Sequence, residues 1–141
     1  SPTKLKAMST SKAFTTNGRT TVVTPLETKL PTELKAKWLA ALRSGEYTQG
    51  RGQLSLEVEG VMHHCCLGVL CRLQGRLVKI GSLAYDGTLV SASSLVLSTD
   101  NPVNFLMHFR ARMDGAERTL ADLNDRGASF AEIADIIEYA F

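Results

Sequence analysis

His63-His64-Cys65-Cys66-Leu67-Gly68-Val69-Leu70-Cys71 holds every cysteine and two of the three histidines of this 141-residue chain, and its reading decides the fold. It is either a small reactive site or a buried helix. From His64 onward Cys66, Val69, Leu70 and Leu73 recur at i, i+3, i+4 and i+7, and Gly75 supplies a C-terminal stop. The spacing predicts a short buried helix. Upstream, Leu54, Leu56 and Val58 alternate with Ser55, Glu57 and Glu59, the period of a half-buried strand. Glu59-Gly60 reads as a tight turn into a second strand through Val61-Met62, so a hairpin feeds the helix.

Further out, a helix is expected over about residues 33–43. Thr32 is its N-cap, Leu34, Trp38, Ala41 and Leu42 share one face, and Gly45 is the left-handed stop. On the other side, Arg76 to Ile80 reads as a strand, and Asp86-Gly87 inside Leu83–Val90 carries a two-residue hairpin signal. Residues 91–98 continue the sheet weakly. Asp100-Asn101-Pro102 then starts a helix through Phe105, Leu106 and Phe109 that Gly115 ends, and a further helix over about 116–124 closes at Gly127. Ser129 and Glu132 form a capping box for the last helix, which presents Phe130, Ile133, Ala134, Ile137 and Phe141 to a core. The fold class is α+β: a small antiparallel sheet of hairpins packed against four to five helices, as one domain over 31–141.

Residues 1–30 read differently. They are rich in Ser, Thr and Lys, and their apolar residues hold neither a 3.6 nor a 2.0 period. Lys4, Lys6, Lys12, Arg19 and Lys29 stand against Glu27 alone, so an extended arm of net charge +4 joins a body of net charge −2. Such an arm suits contact with another surface through Lys4, Lys6, Lys12 and Arg19. Val22 and Val23 lie in a Thr20–Thr24 stretch of β-propensity that could add as a strand. No apolar run reaches the roughly 18–20 residues of a membrane span, and the start lacks the apolar region of a secretory signal. A virion or a host cytoplasm is the expected setting, with no membrane partner.

The reactive readings fail on spacing. Zinc sites draw paired Cys or His ligands from two separate places, whereas Cys65 and Cys66 are adjacent and no second cluster exists, so no metal and no cofactor is implied. Gly45 to Gly52 lacks the order of a phosphate-binding loop. Leu123–Ala134 resembles the opening of a helix-turn-helix, but the chain ends at Phe141 before a recognition helix, so sequence-specific nucleic acid is not expected. A thiol at the start of a helix could be acidified into a nucleophile, with His108 or His63 as base.

That last idea carries a resemblance. Tyr47, Gly50-Arg51-Gly52 and Cys65-Cys66-Leu67-Gly68-Val69 resemble the NlpC/P60 cysteine peptidases, with Cys66 at the nucleophile's place. Cys65 stands where that family has aspartate and Leu67 where it has serine, and His108 lies in Leu106–Phe109, which is expected to be helical. A longer resemblance runs through Trp38, Tyr47, Gln49, Gly50, Gly52 and Leu54, then Cys65-Cys66-Leu67-Gly68-Val69-Leu70-Cys71. It continues through Leu123, Asn124, Asp125, Gly127, Ser129, Phe130, Glu132, Ile133, Ala134 and Asp135. This pattern, over about 105 residues, resembles a family of small proteins encoded by phages and prophages. It implies phage origin and a shared fold, and no particular chemistry. The favoured expectation is a non-enzymatic structural or assembly protein of a capsid or tail, its arm docked on another phage structural protein or on a second copy. A phage accessory protein that binds a host protein, and a cysteine hydrolase using Cys66 and His108, are the alternatives.

Overall fold

A computed structural model describes residues 10–87 and 95–141, and it is α+β: two sheets with four α-helices. The first sheet has the order β1 (Lys12–Thr16), β2 (Arg19–Val23), β8 (Ala111–Met113), β9 (Ala116–Arg118), all antiparallel. The second has the order β3 (Thr48–Gln49), β5 (Val61–His64), β4 (Ser55–Val58), β7 (Leu83–Asp86), β6 (Leu77–Ile80), antiparallel except for the parallel pair β3–β5. Helices α1 (Thr32–Ser44), α2 (Cys66–Leu73), α3 (Leu120–Asp125) and α4 (Phe130–Ala140) bury one core with Trp38, Leu67, Leu70, Phe109, Leu123, Ile133 and Ile137 in it. A 3₁₀ turn, Asn104–His108, completes the elements.

The cysteine stretch is a helix, as its spacing predicts. β5 delivers the chain at His64, and Cys65, in extended conformation, caps α2 through its Sγ, which accepts from Gly68 N at 3.4 Å. The turn Glu59-Gly60 joins β4 to β5, both residues left-handed. The Ser129 capping box on α4 is present, and Thr119 with Asp122 makes a second one on α3. Helix α1 begins at Thr32 itself, with Pro31 at the cap position and no side-chain cap, so Thr32 does not play the expected role.

The arm is the first correction. Residues 12–23 are a hairpin, turned at Asn17-Gly18 with both φ positive, and β2 pairs with β8 of the body. Thr16, Thr21 and Val23 are buried. The turn is tied down as well: Asn17 N donates to Glu132 Oε1 at 3.0 Å, and Asn17 Nδ2 to Arg126 O at 3.3 Å. The strand propensity of Thr20–Thr24 is spent on this chain's own sheet.

The second correction covers 101–118. The expected long helix is only the 3₁₀ turn, after which Phe109, Ala111 and Met113 point inward and Arg110 and Arg112 outward, a period of 2. Asp114-Gly115, with φ 55° and 75°, is a hairpin turn between β8 and β9 rather than a helix end. The helix expected from 116 therefore starts at Leu120. The third concerns Asp86-Gly87: β6 and β7 already form a hairpin around Gly81-Ser82, and Asp86 ends β7 as a hydrogen-bond acceptor. The rest of that expected hairpin, residues 88–90, and the first half of 91–98 lie outside the described residues.

α2 packs against the backbone of the strand before it. A Cβ at Gly68 would stand 1.9 Å from Leu54 O and 2.8 Å from Leu54 C, neither of which can rotate away. Gly68→Ala is expected to destabilise the fold by about 3 kcal/mol, read as a lower urea midpoint at unchanged slope. An unchanged midpoint would refute this contact.

Candidate functional site

The residues that the sequence singles out as a pattern come together in space. Asn124, fully buried on α3, accepts at Oδ1 from Gln49 Nε2 (2.8 Å) and from Cys66 N at the start of α2 (3.3 Å). Its Nδ2 donates to Gly50 O at 2.7 Å. Gln49 Nε2 also reaches Ala128 O at 2.7 Å, Gly52 N donates to Asp125 Oδ1 at 2.9 Å, and Gly50 N to His64 O at 2.7 Å. Trp38 Nε1 closes the group by donating to Cys66 O at 3.0 Å. Gly50 has to be small because its Cβ would stand 2.9 Å from His63 Cβ. Gly127 is needed where φ is +102° and Asn17 lies against it. These groups satisfy one another, so the pattern is a polar knot that holds four segments together: α1, residues 49–52, the start of α2, and residues 124–128.

The thiols are enclosed in it. Cys65, Cys66 and Cys71 are each 0% exposed. Burial pushes the Cys65 thiol up to about 11 and the Cys66 and Cys71 thiols well above their ordinary range. At neutral pH all three are protonated. Cys66 Sγ faces Leu120 O at 3.8 Å, and His108 is not among its partners: that residue is exposed and lines a shallow hollow with Leu26, Glu27, Thr28 and Phe105. The pairing of Cys66 with His108 is thus not formed. Among the described residues no group of three or more His, Cys, Asp or Glu could hold a metal ion. None of the described helices is long and apolar enough to cross a membrane.

His64 is the other buried titratable group of the stretch. Its Nδ1 lies 2.5 Å from Ser55 Oγ, and its ring meets the Tyr47 ring edge-on at 5.6 Å. Burial lowers its pKa, and the charge of Arg72 lowers it further. A hollow of about 260 Å³ opens beside it, lined by Tyr47, Thr48, Met62 and Arg72.

The arm's candidate residues are distributed unevenly. Lys4 and Lys6 lie outside the described residues. Lys12 stands over the Phe14 and Tyr139 rings at 5.1 and 5.5 Å, in the hollow of about 620 Å³ between β1 and α4. Arg19 pairs with Asp114 at 2.5 Å. Val23 is in the core, and Val22 is exposed.

What the sequence did not single out is the polarity of the second sheet. Its register puts Ser55, His64, Ala84 and Asp86 on the side of the helices, all buried. Leu56, Val58, Val61, His63, Val78, Ile80, Leu83 and Tyr85 stand on the opposite face. Val58, Val61 and Ile80 are 42–49% exposed, and none of the seven apolar residues belongs to the core or packs against it. The inward polar groups are satisfied. Asp86 accepts from Arg76 Nε (3.0 Å), Ser98 N (2.6 Å), Ser98 Oγ (2.8 Å) and Asn101 Nδ2 (3.2 Å). Burial alone would raise the pKa of this carboxyl, but these donors outweigh it and hold it below the ordinary range. An antiparallel sheet with one solvated face normally turns its polar side outward. Here the alternation is genuine but in the opposite phase over Ser55–Val58: Ser55, a polar position of the alternation, is buried, and Leu56 and Val58 face outward.

Two measurements check this site. In native protein all three thiols are expected to resist iodoacetamide at pH 7.5 and to react fully in denaturant, as read by mass spectrometry. Fast labelling of Cys66 in the native state would contradict its burial. Because the folded pKa of His64 is lowered, the unfolded chain takes up the proton first. The stability this group contributes is complete above about pH 6.5 and is lost as pH falls toward its folded value. Urea midpoints at pH 7.5 and 5.5 should differ in the wild type, and by less in His64→Gln.

A family described as a domain of unknown function, DUF8296, matches residues 30–86, less than half of the chain. The matched part contains α1, α2 and the whole second sheet, including its outer face. No curated protein and no solved structure matches the chain.

Proposed function

We propose that this chain is a non-enzymatic assembly protein of a phage particle, docked on a neighbouring protein surface through the outer face of its second sheet. The observation that carries the reading is the sheet's polarity. Seven apolar side chains face away from the core, and no Asp, Glu, Lys or Arg stands among them. Exposed apolar patches of this kind mark interaction sites. The phage setting rests on the resemblance read from the sequence. The chemistry of the cysteine stretch supports the non-enzymatic part, since buried thiols with raised pKa values supply no thiolate. Docking by the basic arm is narrowed, because Arg19 and Val23 are engaged within the domain.

The partner surface this face fits is apolar and uncharged. In purified particles the wild-type protein is expected to be present by mass spectrometry. Val58→Asp, an exposed position that leaves folding intact, would have to bury a charge on docking, and about tenfold less protein should be incorporated. Absence of the wild-type chain from particles, or equal incorporation of Val58→Asp, would overturn the reading.

A further inference from the structure

We infer that the outer face of the second sheet binds a second copy of this chain, face to face about a two-fold axis. The inference rests on the docking face proposed above and names its occupant. The first ground is charge. A two-fold axis sets a surface against itself, so any charge near the axis meets its own kind. This face has none at its strand positions, and self-packing there brings no like charges together.

The second ground is the rim. Glu59 sits in the turn between β4 and β5, at one end of the pair. Arg51 lies beyond the other end, where it lines a groove of about 280 Å³ with Gln53, Leu56, Val58 and His63. Neither side chain has an ion pair or hydrogen bond among the described residues. In the chain the two oppositely charged residues flank the four-residue strand β4, itself about 13 Å long. When two copies pack with β4 antiparallel to β4, the turn of each enters the groove of the other, and Glu59 of each meets Arg51 of its mate. The pair forms twice.

Size sets the strength. Four strands about 4.8 Å apart and about 13 Å long make a patch on the order of 250 Å² in projection, well short of the roughly 800 Å² that each partner of a stable complex buries. The dimer is therefore reversible, with dissociation in the micromolar range or weaker.

Sedimentation equilibrium of the full-length chain over a range of concentrations tests this. A monomer–dimer equilibrium is expected. Glu59→Arg and Arg51→Glu should each weaken it about tenfold, and the double variant Glu59→Arg with Arg51→Glu should restore most of the affinity. A wild-type chain that stays monomeric up to about 1 mM, which is the weak end of measurable association, overturns the inference. So does a dimer that the double variant fails to restore. The two proposals fail separately. A monomeric chain whose Val58→Asp variant still drops out of particles removes only the second copy. A dimer abolished by Val58→Asp in a protein absent from particles removes only the particle role.

Discussion

The carboxamide of Asn124 is the constraint on which the rest of the arrangement depends. Buried away from water, it has two lone-pair directions and two N–H groups to satisfy, and an unsatisfied group there costs about 1–3 kcal/mol. Its Oδ1 accepts from Gln49 Nε2 and Cys66 N, and its Nδ2 donates to Gly50 O and, at 3.5 Å, to Asp125 Oδ1, so the Gln49-Gly50 segment and the start of α2 are both tied to α3. Those bonds set the distance between β3, the start of α2 and α3. That distance in turn requires backbone contact at Gly50 and Gly68, because a side chain at either would force the segments apart. A pattern spread over the chain from Trp38 to Gly127 is thus one packing problem, solved once.

The same distances explain the cysteines. α2 lies so close to Leu54 that Gly68 has no room for a methyl group, and Cys65, Cys66 and Cys71 of the same stretch are fully buried beside it. Cysteine behaves there as a small hydrophobe. Enclosure then raises its pKa and removes the reactivity that its presence beside two histidines suggests. Residue types mark possible chemistry, and burial decides whether it is expressed.

Much of the fold was legible where a local signal has one physical cause. The Ser129–Glu132 box and the Glu59-Gly60 turn answer to hydrogen bonds and backbone sterics within a few residues, and both stand where expected. The hairpin of residues 12–23 was harder to read. Its one local signal, Asn17-Gly18, sits among threonines whose burial depends on a strand about ninety residues further on. Residues 109–113 hold too short an alternation to outweigh the proline and the Phe105, Leu106, Phe109 spacing. Within the candidate site the knot's members were visible as a pattern, yet their mutual bonding was not, because it depends on tertiary approach. The outer face was hidden by phase: an alternating strand does not state which of its sides meets the helices.

Phase follows from what the inner side can satisfy. Ser55 has His64 at 2.5 Å, and Asp86 has Arg76, Ser98 and Asn101, so neither polar group needs water. With those bonds made, the sheet lies on α2 polar side inward without leaving a buried group unpaired, and the core closes around the helices and the inner side of the first sheet, with Val23, Ala111 and Met113 in it. The apolar side is then surplus to folding. Its residues shield one another in part, which leaves the most exposed apolar surface at Val58, Val61 and Ile80, beside the two hairpin turns. A domain whose stability does not draw on a face is free to use that face for reversible association, and substitutions there can change binding while the knot around Asn124 holds the fold.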